Sequence, residues 1–370
     1  MSYAAPGSRC TPARWWHEEE SRVRCDLCPR RCILSDGKSG FCGARQNEGG
    51  RLYSANYGKV CVTTVDPIEK KPIFHYRPGS RLYSLGTFGC NMDCMNCQNF
   101  NLARSKDEDL PCNHIGPEDV VGQAVEKGVQ GIGWTFNEPV VWAEFILDTA
   151  KEANRKGLFS LLNTNGFIEP GAREELLRST QVVNIDVKGF TEDFYKNNCN
   201  AELKPVLETC TFAKRAGVHV ELTYLLIPGL NDSKEEIQRF CEWVVDEMGP
   251  DTPIHFFRFR PFYKLSDLPA QTIEKLKEAY DIAKSEGVRF PYYAGVVGDD
   301  RQNTYCPKCG ELLVKRASRE VTDKVCVKKT EVSRFCPTFP EVELRLQGNA
   351  CPRCGECIPV VLSQQEECTP

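Results

Sequence analysis

The sequence predicts an α/β protein whose parallel sheet forms a partial (β/α)6 barrel, flanked by small cysteine-rich modules. Two observations carry this prediction: short β-rich apolar runs alternate with helical patterns, and cysteines cluster on both sides of that region. Polar residues follow most of the apolar runs, as they do at the functional face of such a barrel. On pattern alone, a doubly wound open sheet is the alternative.

The chain divides by composition into a lead-in at 1–20, a Cys-rich N-terminal module at 21–80, a barrel at 81–300 and a zinc-ribbon-like C-terminal module at 301–370. The predicted barrel strands are 81–88, 131–136, 158–163, 182–188, 218–227 and 254–260. The predicted helices between and after them are 117–127, 139–156, 171–178, 203–216, 233–248 and 269–286.

Composition narrows the class of function. The net charge of −4 gives no electrostatic case for a nucleic acid or a membrane surface, and no apolar run is long enough to span a bilayer. The chain has 21 cysteines, with five CxxC patterns among them, and no secretion signal is visible, which favours metal ligation over disulfides. A cytoplasmic location is therefore expected.

The most informative cysteines are Cys90, Cys94 and Cys97, in the loop "CNMDCMNC" that follows an apolar run and a glycine. Three thiolates on one loop suit an iron–sulfur cubane that keeps one iron open to a ligand from outside the protein. The alternative is a zinc loop that lacks one of its ligands.

Two further cysteine sets have the spacing of closed metal sites. Cys25, Cys28, Cys32 and Cys42 form the N-terminal set, which suits zinc or an auxiliary 4Fe-4S cluster; zinc or a structural role is slightly favoured. The C-terminal set pairs two CPxCG knuckles, Cys306 with Cys309 and Cys351 with Cys354, and predicts a zinc ribbon. An insertion with Cys326 and Cys336 separates the knuckles, and Cys357 and Cys368 are surplus thiols.

Candidate binding residues lie at the ends of the predicted strands. They are Asn137 and Glu138 in "WTFNEP", Asn163 and Asn165 in "LLNTNGF", Asp186 and Lys188 in "NIDVKGF", Ile227 in "LLIPGLNDS", and His255 in "IHFFRFRPFY". Pro139 also suits the first turn of a helix, so a plain helix start is the alternative for the first motif. Asn231 and Asp232 are predicted to cap the next helix. His255 is equally compatible with packing.

The stretch "YSLGTFGCNMDCMNCQNF" resembles the cluster loop of radical S-adenosylmethionine (radical SAM) enzymes. The resemblance implies a 4Fe-4S cluster on the three cysteines of the loop, with SAM bound to the open iron. It also implies reductive cleavage of SAM to a 5′-deoxyadenosyl radical that abstracts hydrogen from a substrate. By the same resemblance, Glu138 and its neighbour Asn137 lie where a motif of these enzymes meets the methionine amine.

The strand-end motifs are similar to those of glycyl-radical activating enzymes, such as the pyruvate formate-lyase activating enzymes. That similarity implies that Lys188 contacts the methionine carboxylate, and that Asn163 and Asp186 line a small-cation site. The activating enzymes usually carry Asp where this chain has Asn163. Asn165, Ile227 and His255 are further expected cofactor contacts, with Ile227 stacking on adenine.

Several stretches together resemble the radical SAM member of the so-called AmmeMemoRadiSam system, from about residue 25 to 356. They include "CDLCPRRCILSDGKSGFC", "DPIEKKPIFHYRPGS" and "NTYCPKCGELL". This resemblance implies an oxidoreductase or modifying enzyme, an electron donor such as flavodoxin or ferredoxin, and an unidentified substrate, with proteins among the candidates. The alternatives are a glycyl-radical enzyme activase and, from another class, a non-catalytic zinc-cluster protein that binds a partner or RNA.

Overall fold

The computed structural model describes residues 11–106, 109–327 and 330–362, without the side chains of residues 320–338 and 340. Its centre is an eight-stranded sheet that forms the partial barrel, and small antiparallel sheets lie before and after it in the chain. Within these ranges, no helix combines the length and the apolar character needed to cross a bilayer.

The N-terminal module consists of short strands. They are β1 (Thr11–Pro12), β2 (Trp16–Glu19), β3 (Arg22–Cys25), β4 (Ile33–Leu34), β5 (Arg45–Glu48), β6 (Arg51–Ser54), β7 (Lys59–Val60) and β8 (Val62–Pro67). A 3-10 turn at Ile68–Lys70 follows them. Strands β2, β3 and β4 form one antiparallel sheet, and β1, β6 and β5 form another.

The barrel alternates strands and helices in chain order. Its elements are β9 (Arg81–Gly86), α1 (Phe100–Ala103), β10 (Asn113–His114), α2 (Pro117–Glu126), β11 (Gly131–Trp134), α3 (Ala143–Arg155), β12 (Phe159–Thr164), α4 (Pro170–Arg178), β13 (Val182–Asp186), α5 (Glu192–Phe194), α6 (Leu203–Arg215), β14 (His219–Leu226), α7 (Lys234–Trp243), β15 (Ile254–Arg258), α8 (Ile273–Ser285) and β16 (Pro291–Ala294). Short 3-10 turns lie at Pro139–Trp142, Tyr263–Leu265 and Asp300–Gln302, and π-helical turns at Tyr195–Cys199 and Val244–Met248.

The strand order in the large sheet is β16-β15-β14-β13-β12-β11-β9-β8, and all pairs are parallel except that of β8 with β9. All six predicted strands are confirmed, and the α/β barrel with them. The described residues add a seventh parallel strand, β16, which the periodicity missed because it has only four residues and begins with Pro291. Strand β8 belongs to the predicted N-terminal module, so the predicted boundary at residue 80 falls between two paired strands.

Local sequence signals explain the helix starts. Proline occupies the first helical position of α2 and α4, where the missing N–H costs nothing. The Ser233 side chain accepts the Glu236 N–H at the start of α7, and Thr272 accepts the Lys275 N–H at the start of α8. Strands β9, β11 and β12 are almost wholly buried, as expected for parallel strands covered on both faces.

Residues 68–77, here called the plug, run across the inner face of the barrel sheet. The side-chain amides of Asn163 on β12 and Asn184 on β13 donate to the carbonyl oxygens of Lys71 and Pro72, at 2.7 and 2.8 Å. Glu221 on β14 continues the row, since its carboxylate accepts backbone N–H groups of the plug. The block "DPIEKKPIFHYRPGS" therefore fills the barrel interior and is not a solvated loop.

Glu221 collects four donors although it is fully buried. It accepts the backbone N–H groups of Phe74 at 2.9 Å and His75 at 2.7 Å, and the ring nitrogens of His219 at 3.0 Å and His255 at 2.6 Å. Burial alone would raise the pKa of Glu221, but the hydrogen bonds from the two histidines hold it below its usual value. The carboxylate is thus the shared acceptor that ties the plug to two barrel strands.

The C-terminal module covers the open side of the plug. It contains β17 (Thr304–Tyr305) and a long hairpin of β18 (Leu312–Val327) and β19 (Thr330–Leu344), which is the predicted insertion. Arg316 of β18 donates to the carbonyl oxygen of Phe74 at 2.7 Å, and the Val361 N–H donates to the carbonyl oxygen of His75 at 2.8 Å. The base of the hairpin therefore packs on the plug.

The cysteines are not all free for metals. Cys61 and Cys112 form a disulfide, and Cys357 is also disulfide-bonded. The preference for metal ligation over disulfides, drawn from the CxxC spacing, did not predict these links. Cys61 and Cys112 lie outside such patterns, and Cys357 was a surplus thiol beside the second knuckle. The side chains of Cys326 and Cys336, and all of Cys368, lie outside the described residues.

We expect the Glu221→Gln variant to lower the free energy of unfolding by roughly 2–4 kcal/mol, because the amide nitrogen of Gln would face donors that need an acceptor. Urea unfolding followed by circular dichroism measures this loss. The matched control is Glu174→Gln, which breaks an exposed 3.1 Å pair with Arg178 and should change stability by less than about 1 kcal/mol. Equal unfolding midpoints for both variants would contradict a central role for Glu221.

Candidate active site and metal centres

The loop with Cys90, Cys94 and Cys97 leaves the C-terminal end of β9 and lies against the N-terminal module. Gly89, just before it, has φ +93°, and a Cβ there would lie 2.4 Å from the carbonyl oxygen of Cys42. Only glycine permits so close an approach of two backbones. The loop position is therefore set by direct contact with the N-terminal cysteine module.

Asparagine and arginine side chains hold this loop in place. Asn137 accepts the Thr87 N–H at 3.0 Å and donates to the Gly89 carbonyl oxygen at 2.9 Å. Arg104 donates to the carbonyl oxygen of Cys90 at 2.8 Å. The amide of Asn137 thus binds backbone groups on both sides of Phe88 and braces the loop, and its predicted contact with the cofactor stays a prediction.

Two donors already point at the Cys90 sulfur. The Met92 N–H lies 3.4 Å and the Asn165 side-chain nitrogen 3.8 Å from Cys90 Sγ. Burial raises the pKa of the Cys90 thiol above its usual value and that of Cys97 to about 11. Thiolates there need a positive partner, and cluster iron together with N–H donors supplies one. The residues present therefore fit an iron–sulfur cluster.

Cys199 was missed by sequence reasoning, and it lies against the same loop. The N–H groups of Asp93 and Met95 donate to the carbonyl oxygens of Cys199 and Asn198, at 3.0 and 2.9 Å. The two thiols also lie close enough to shift each other's pKa, because Cys199 raises the pKa of Cys94 and Cys94 lowers that of Cys199. Cys199 lies at the end of the π-helical turn Tyr195–Cys199, far from the loop in sequence and outside any cysteine motif. Only the tertiary contact reveals it.

Glu138 lies at the C-terminal end of β11, where the sequence predicted a binding residue. It accepts the Thr164 hydroxyl at 2.6 Å, the Asn165 N–H at 2.8 Å and the Val140 N–H at 3.0 Å. Burial raises the pKa of Glu138 to about 7 in spite of these donors. A bound ammonium group beside it would favour the ionised carboxylate.

Lys188 and Asp186 form an ion pair of 2.9 Å at the end of β13. Burial disfavours the charge of Lys188, but Asp186 holds the pKa of the lysine well above its usual value. Lys188 is also close enough to Cys94, Cys97 and Glu138 to act on them electrostatically. The structure therefore brings the triad, Glu138 and Lys188 to one edge of the barrel.

The loop after β14 differs from its prediction. Asn231 does not cap α7; its side chain donates to the Lys188 and Leu225 carbonyl oxygens at 2.7 Å each and accepts the Ile227 N–H at 2.7 Å. Ser233 is the cap. Asp232 accepts the Gly229 N–H at 2.8 Å. A cap acts only on its own helix, whereas Asn231 reaches the neighbouring strand, which the sequence could not show.

Two predicted cofactor contacts lie in packed interiors. The side chain of Ile227 is 1% exposed and belongs to the main hydrophobic core. His255 is fully buried, donates toward Glu221, and packs between Phe74 and Tyr292. Both residues therefore have packing roles in the structure, and their cofactor contacts stay predictions.

Asn163 is likewise engaged, since its amide donates to the Lys71 carbonyl oxygen of the plug. Asn165, by contrast, reaches the cluster loop. Its side-chain nitrogen donates to Asn91 Oδ1 at 2.8 Å, besides its contact with Cys90. Of the two predicted residues of this motif, Asn165 is the one that links the strand end to the loop.

The C-terminal thiols converge on one point. The sulfurs of Cys306, Cys309, Cys351 and Cys354 all lie within 4.8 Å of one another, and the 306–354 and 309–351 pairs are each 3.6 Å apart. Both knuckles form the same turn, in which a glycine N–H donates to the carbonyl oxygen of the first cysteine at 2.9 Å. The hairpin of β18 and β19 folds back and brings the knuckles together, as the sequence predicted.

The N-terminal thiols surround a cavity. Its lining consists of Cys25, Cys28, Cys32 and Cys42 together with Leu27, Arg30, Gly40, Arg45, Asn91 and Val141. Asn91 belongs to the cluster loop, so this cavity and that loop share a wall.

Comparison with known proteins agrees with this geometry. Residues 84–243 match the radical SAM superfamily model. An uncharacterized protein of Methanocaldococcus jannaschii is 40% identical over 346 residues, which cover 93% of this chain and 97% of that protein. The pyruvate formate-lyase 1-activating enzyme of Escherichia coli is 25% identical over 170 residues, 43% of this chain and 66% of the enzyme. A crystal structure of a radical SAM methyltransferase from Sphaerobacter thermophilus has a TM-score of 0.47 at 13% identity, covering 83% of this chain and 82% of that one.

The matched region contains the cysteine triad, Glu138 and Lys188, which the fold gathers at the C-terminal edge of the barrel sheet. That family implies a 4Fe-4S cluster and SAM, and the donor set around Cys90 fits the cluster. From the match and the site itself, we conclude that this chain contains a radical SAM domain and is an enzyme of the radical SAM class.

Proposed function

We propose that Cys90, Cys94 and Cys97 hold the 4Fe-4S cluster, and that SAM binds beside it between Glu138 and Lys188. The observation that carries this proposal is the gathering of three thiols, a carboxylate and an ammonium group at one edge of the barrel. When bound, the cluster and SAM supply a one-electron cleavage that yields methionine and a 5′-deoxyadenosyl radical, which takes hydrogen from the substrate.

The side chains of this protein bind SAM and hold the cluster loop in position. Lys188 is placed to pair with the methionine carboxylate and Glu138 to accept from its amine, because each has the opposite charge to its partner. Asn137 and Arg104 fix the backbone of the loop, and Asn165 and the Met92 N–H donate toward the Cys90 sulfur. Asp186 keeps Lys188 charged. The small-cation site predicted at Asn163 and Asp186 stays a prediction.

The similarity to activating enzymes favours a protein as the substrate of this activity. The similarity to pyruvate formate-lyase activating enzymes supports a glycyl-radical activase as the second candidate, and a flavodoxin- or ferredoxin-class protein as the electron donor. The assignment to the AmmeMemoRadiSam group rests on the quoted sequence stretches and stays a prediction. Iron and sulfide analysis with a SAM-cleavage assay would separate all of these from a non-catalytic zinc-cluster protein.

For the C-terminal set we propose zinc. With a Zn–S bond of about 2.3 Å, the sulfurs of a tetrahedral site lie about 3.8 Å apart. The two measured sulfur pairs, at 3.6 Å, are close to that edge. Four thiolates leave no open position for chemistry, so the ion would be structural.

Replacing Cys90, Cys94 and Cys97 with alanine should abolish SAM cleavage and remove about four iron atoms per chain, because these thiols hold the cluster. Anaerobic reconstitution, iron analysis and chromatographic detection of 5′-deoxyadenosine measure both effects. Cys210→Ala, which removes a buried thiol from α6, is the control and should change neither value. Full cleavage activity in the triple variant would refute the proposal.

The Lys188→Met variant should bind SAM roughly ten- to a hundredfold more weakly, because a charge-assisted hydrogen bond contributes about 1.5–3 kcal/mol. Its iron content should be unchanged, since Lys188 is not a sulfur ligand. Equilibrium binding to the reconstituted protein measures the affinity, with the exposed Lys196→Met variant as the control. If Lys188→Met and Glu138→Gln both bind SAM normally, the strand-end assignment is wrong.

The Cys309→Ala variant should release zinc and make the C-terminal module sensitive to protease, because binding free energy at such a site is also local folding free energy. SAM cleavage at the barrel edge should survive at least in part. Metal analysis and limited proteolysis of the full chain test this, with Cys241→Ala, a buried thiol on α7, as the control. Iron in place of zinc at this set would overturn the assignment.

A further inference from the structure

The cavity between the N-terminal thiols contains a donor without an acceptor. Arg45 is 1% exposed and lines this cavity with the four cysteines. Its two terminal nitrogens pair with Glu144 at 2.6 and 2.7 Å, which fixes the direction of the guanidinium. Its third nitrogen, Nε, is buried and has no hydrogen-bond partner. A buried N–H of this kind indicates that an acceptor belongs in the cavity.

The spacing of the thiols indicates the size of that acceptor. Among the described residues, the C-terminal set is the one group in which three or more ligand atoms lie within 4.8 Å of one another. The N-terminal thiols are therefore more widely spaced, as are those of the Cys90 loop. A single tetrahedral ion requires sulfurs about 3.8 Å apart, whereas the thiolates of a cubane bind four separate irons. The wide spacing favours a 4Fe-4S cluster over zinc.

The charges around the cavity agree with such a cluster. Four thiolates around a cubane core of charge +2 leave a net charge of about −2, which needs compensation in a buried site. Arg30 lines the cavity and brings one positive charge, whereas the charge of Arg45 is paired with Glu144, so Arg45 contributes an N–H donor to the cavity. The Arg45 Nε–H would then donate to a cluster or thiolate sulfur, an interaction that tunes the reduction potential of iron–sulfur sites.

This cavity adjoins the cysteine triad. Arg30, which lines the cavity, donates to the carbonyl oxygen of Asn91 in the cluster loop at 2.5 Å. Cys28, Cys32 and Cys90 all act electrostatically on this one arginine. The Cys42 carbonyl oxygen also meets the backbone at Gly89. Arg30 and the close approach of Cys42 to Gly89 therefore link the cavity directly to the loop of the triad.

We propose that Cys25, Cys28, Cys32 and Cys42 bind a second 4Fe-4S cluster, which passes single electrons to the cluster on the triad. The relay rests on the function proposed above, whereas the cluster itself does not. In each turn, a flavodoxin- or ferredoxin-class donor loses one electron and the second cluster is reduced. The second cluster is reoxidised when the triad cluster is reduced. No bond is made or broken in this transfer and no proton is required.

The iron content of the protein tests whether the second cluster is present. We expect the anaerobically reconstituted full chain to contain about eight iron atoms, and the Cys90, Cys94 and Cys97 triple alanine variant to keep about four. After reduction with dithionite, that triple variant should give the electron paramagnetic resonance signal of a reduced 4Fe-4S cluster. The signal should be lost when Cys28→Ala is added. A triple variant that contains two zinc ions and no iron would overturn the proposal.

The choice of electron donor tests the relay. In a chain with an intact triad, Cys28→Ala should abolish SAM cleavage driven by reduced flavodoxin but retain cleavage driven by dithionite, a small reductant that can reach the triad directly. Cys210→Ala should retain both activities. The relay would be overturned if Cys28→Ala kept SAM cleavage equally with both donors, or lost it equally with both. Failure of the wild-type chain to cleave SAM with dithionite would instead refute the function proposed for the triad.

A conservative change at Arg45 provides a readout that does not depend on catalysis. Arg45→Lys keeps a positive charge for Glu144 but removes the Nε–H donor. In the triple alanine variant background, we expect it to make the midpoint potential of the second cluster more negative at unchanged iron content, because a hydrogen bond to sulfur stabilises the reduced state. An unchanged potential would show that Nε does not face the cluster and would remove this support from the proposal.

Discussion

The buried carboxylate of Glu221 is the acceptor on which the rest of the structure depends. A partial barrel has an open inner face, and in this chain residues 68–77 fill it. Glu221 holds that plug by accepting two of its backbone N–H groups, and it also binds histidines from its own strand and the next. Because buried backbone donors without acceptors are costly, the plug and the carboxylate require each other.

The same plug connects the barrel to the C-terminal module. Arg316 and Val361 donate to the carbonyl oxygens of Phe74 and His75, the two residues whose N–H groups bind Glu221 on β14. Phe74 also packs against Phe339 of the hairpin. The thiols of the C-terminal set are thereby attached to the barrel through a continuous packed core, and a metal there would stabilise the cover of the plug.

At the other end of the barrel, the cluster loop is held from several directions at once. Asn137 and Asn165 reach it from the ends of two strands, residues 198–199 pair with it along the backbone, and Cys42 meets Gly89. The loop has little regular structure of its own, so these contacts decide where its thiols point. The N-terminal module consequently helps to position the cluster loop and is not a separate appendage.

Local pattern in the sequence determined the elements and the chemistry. The alternation of apolar runs and helical patterns predicted every strand of the eight-stranded sheet except the short β16 and the plug-linked β8, and cysteine spacing predicted three thiol sets. Glu138 and Lys188 were predicted from their places after parallel strands, which share one edge of the sheet, and from the resemblance of their motifs to known ones. The partners of the buried polar groups were decided by the tertiary structure alone. The pairing of Glu221 with His255, the reach of Asn231 to Lys188, and the contact of Cys199 with Cys94 join residues from different elements, and no local periodicity encodes such contacts. For the same reason, the spacing of the N-terminal and C-terminal cysteines looked alike in sequence, and only the folded chain separates a compact set of sulfurs from a wide one.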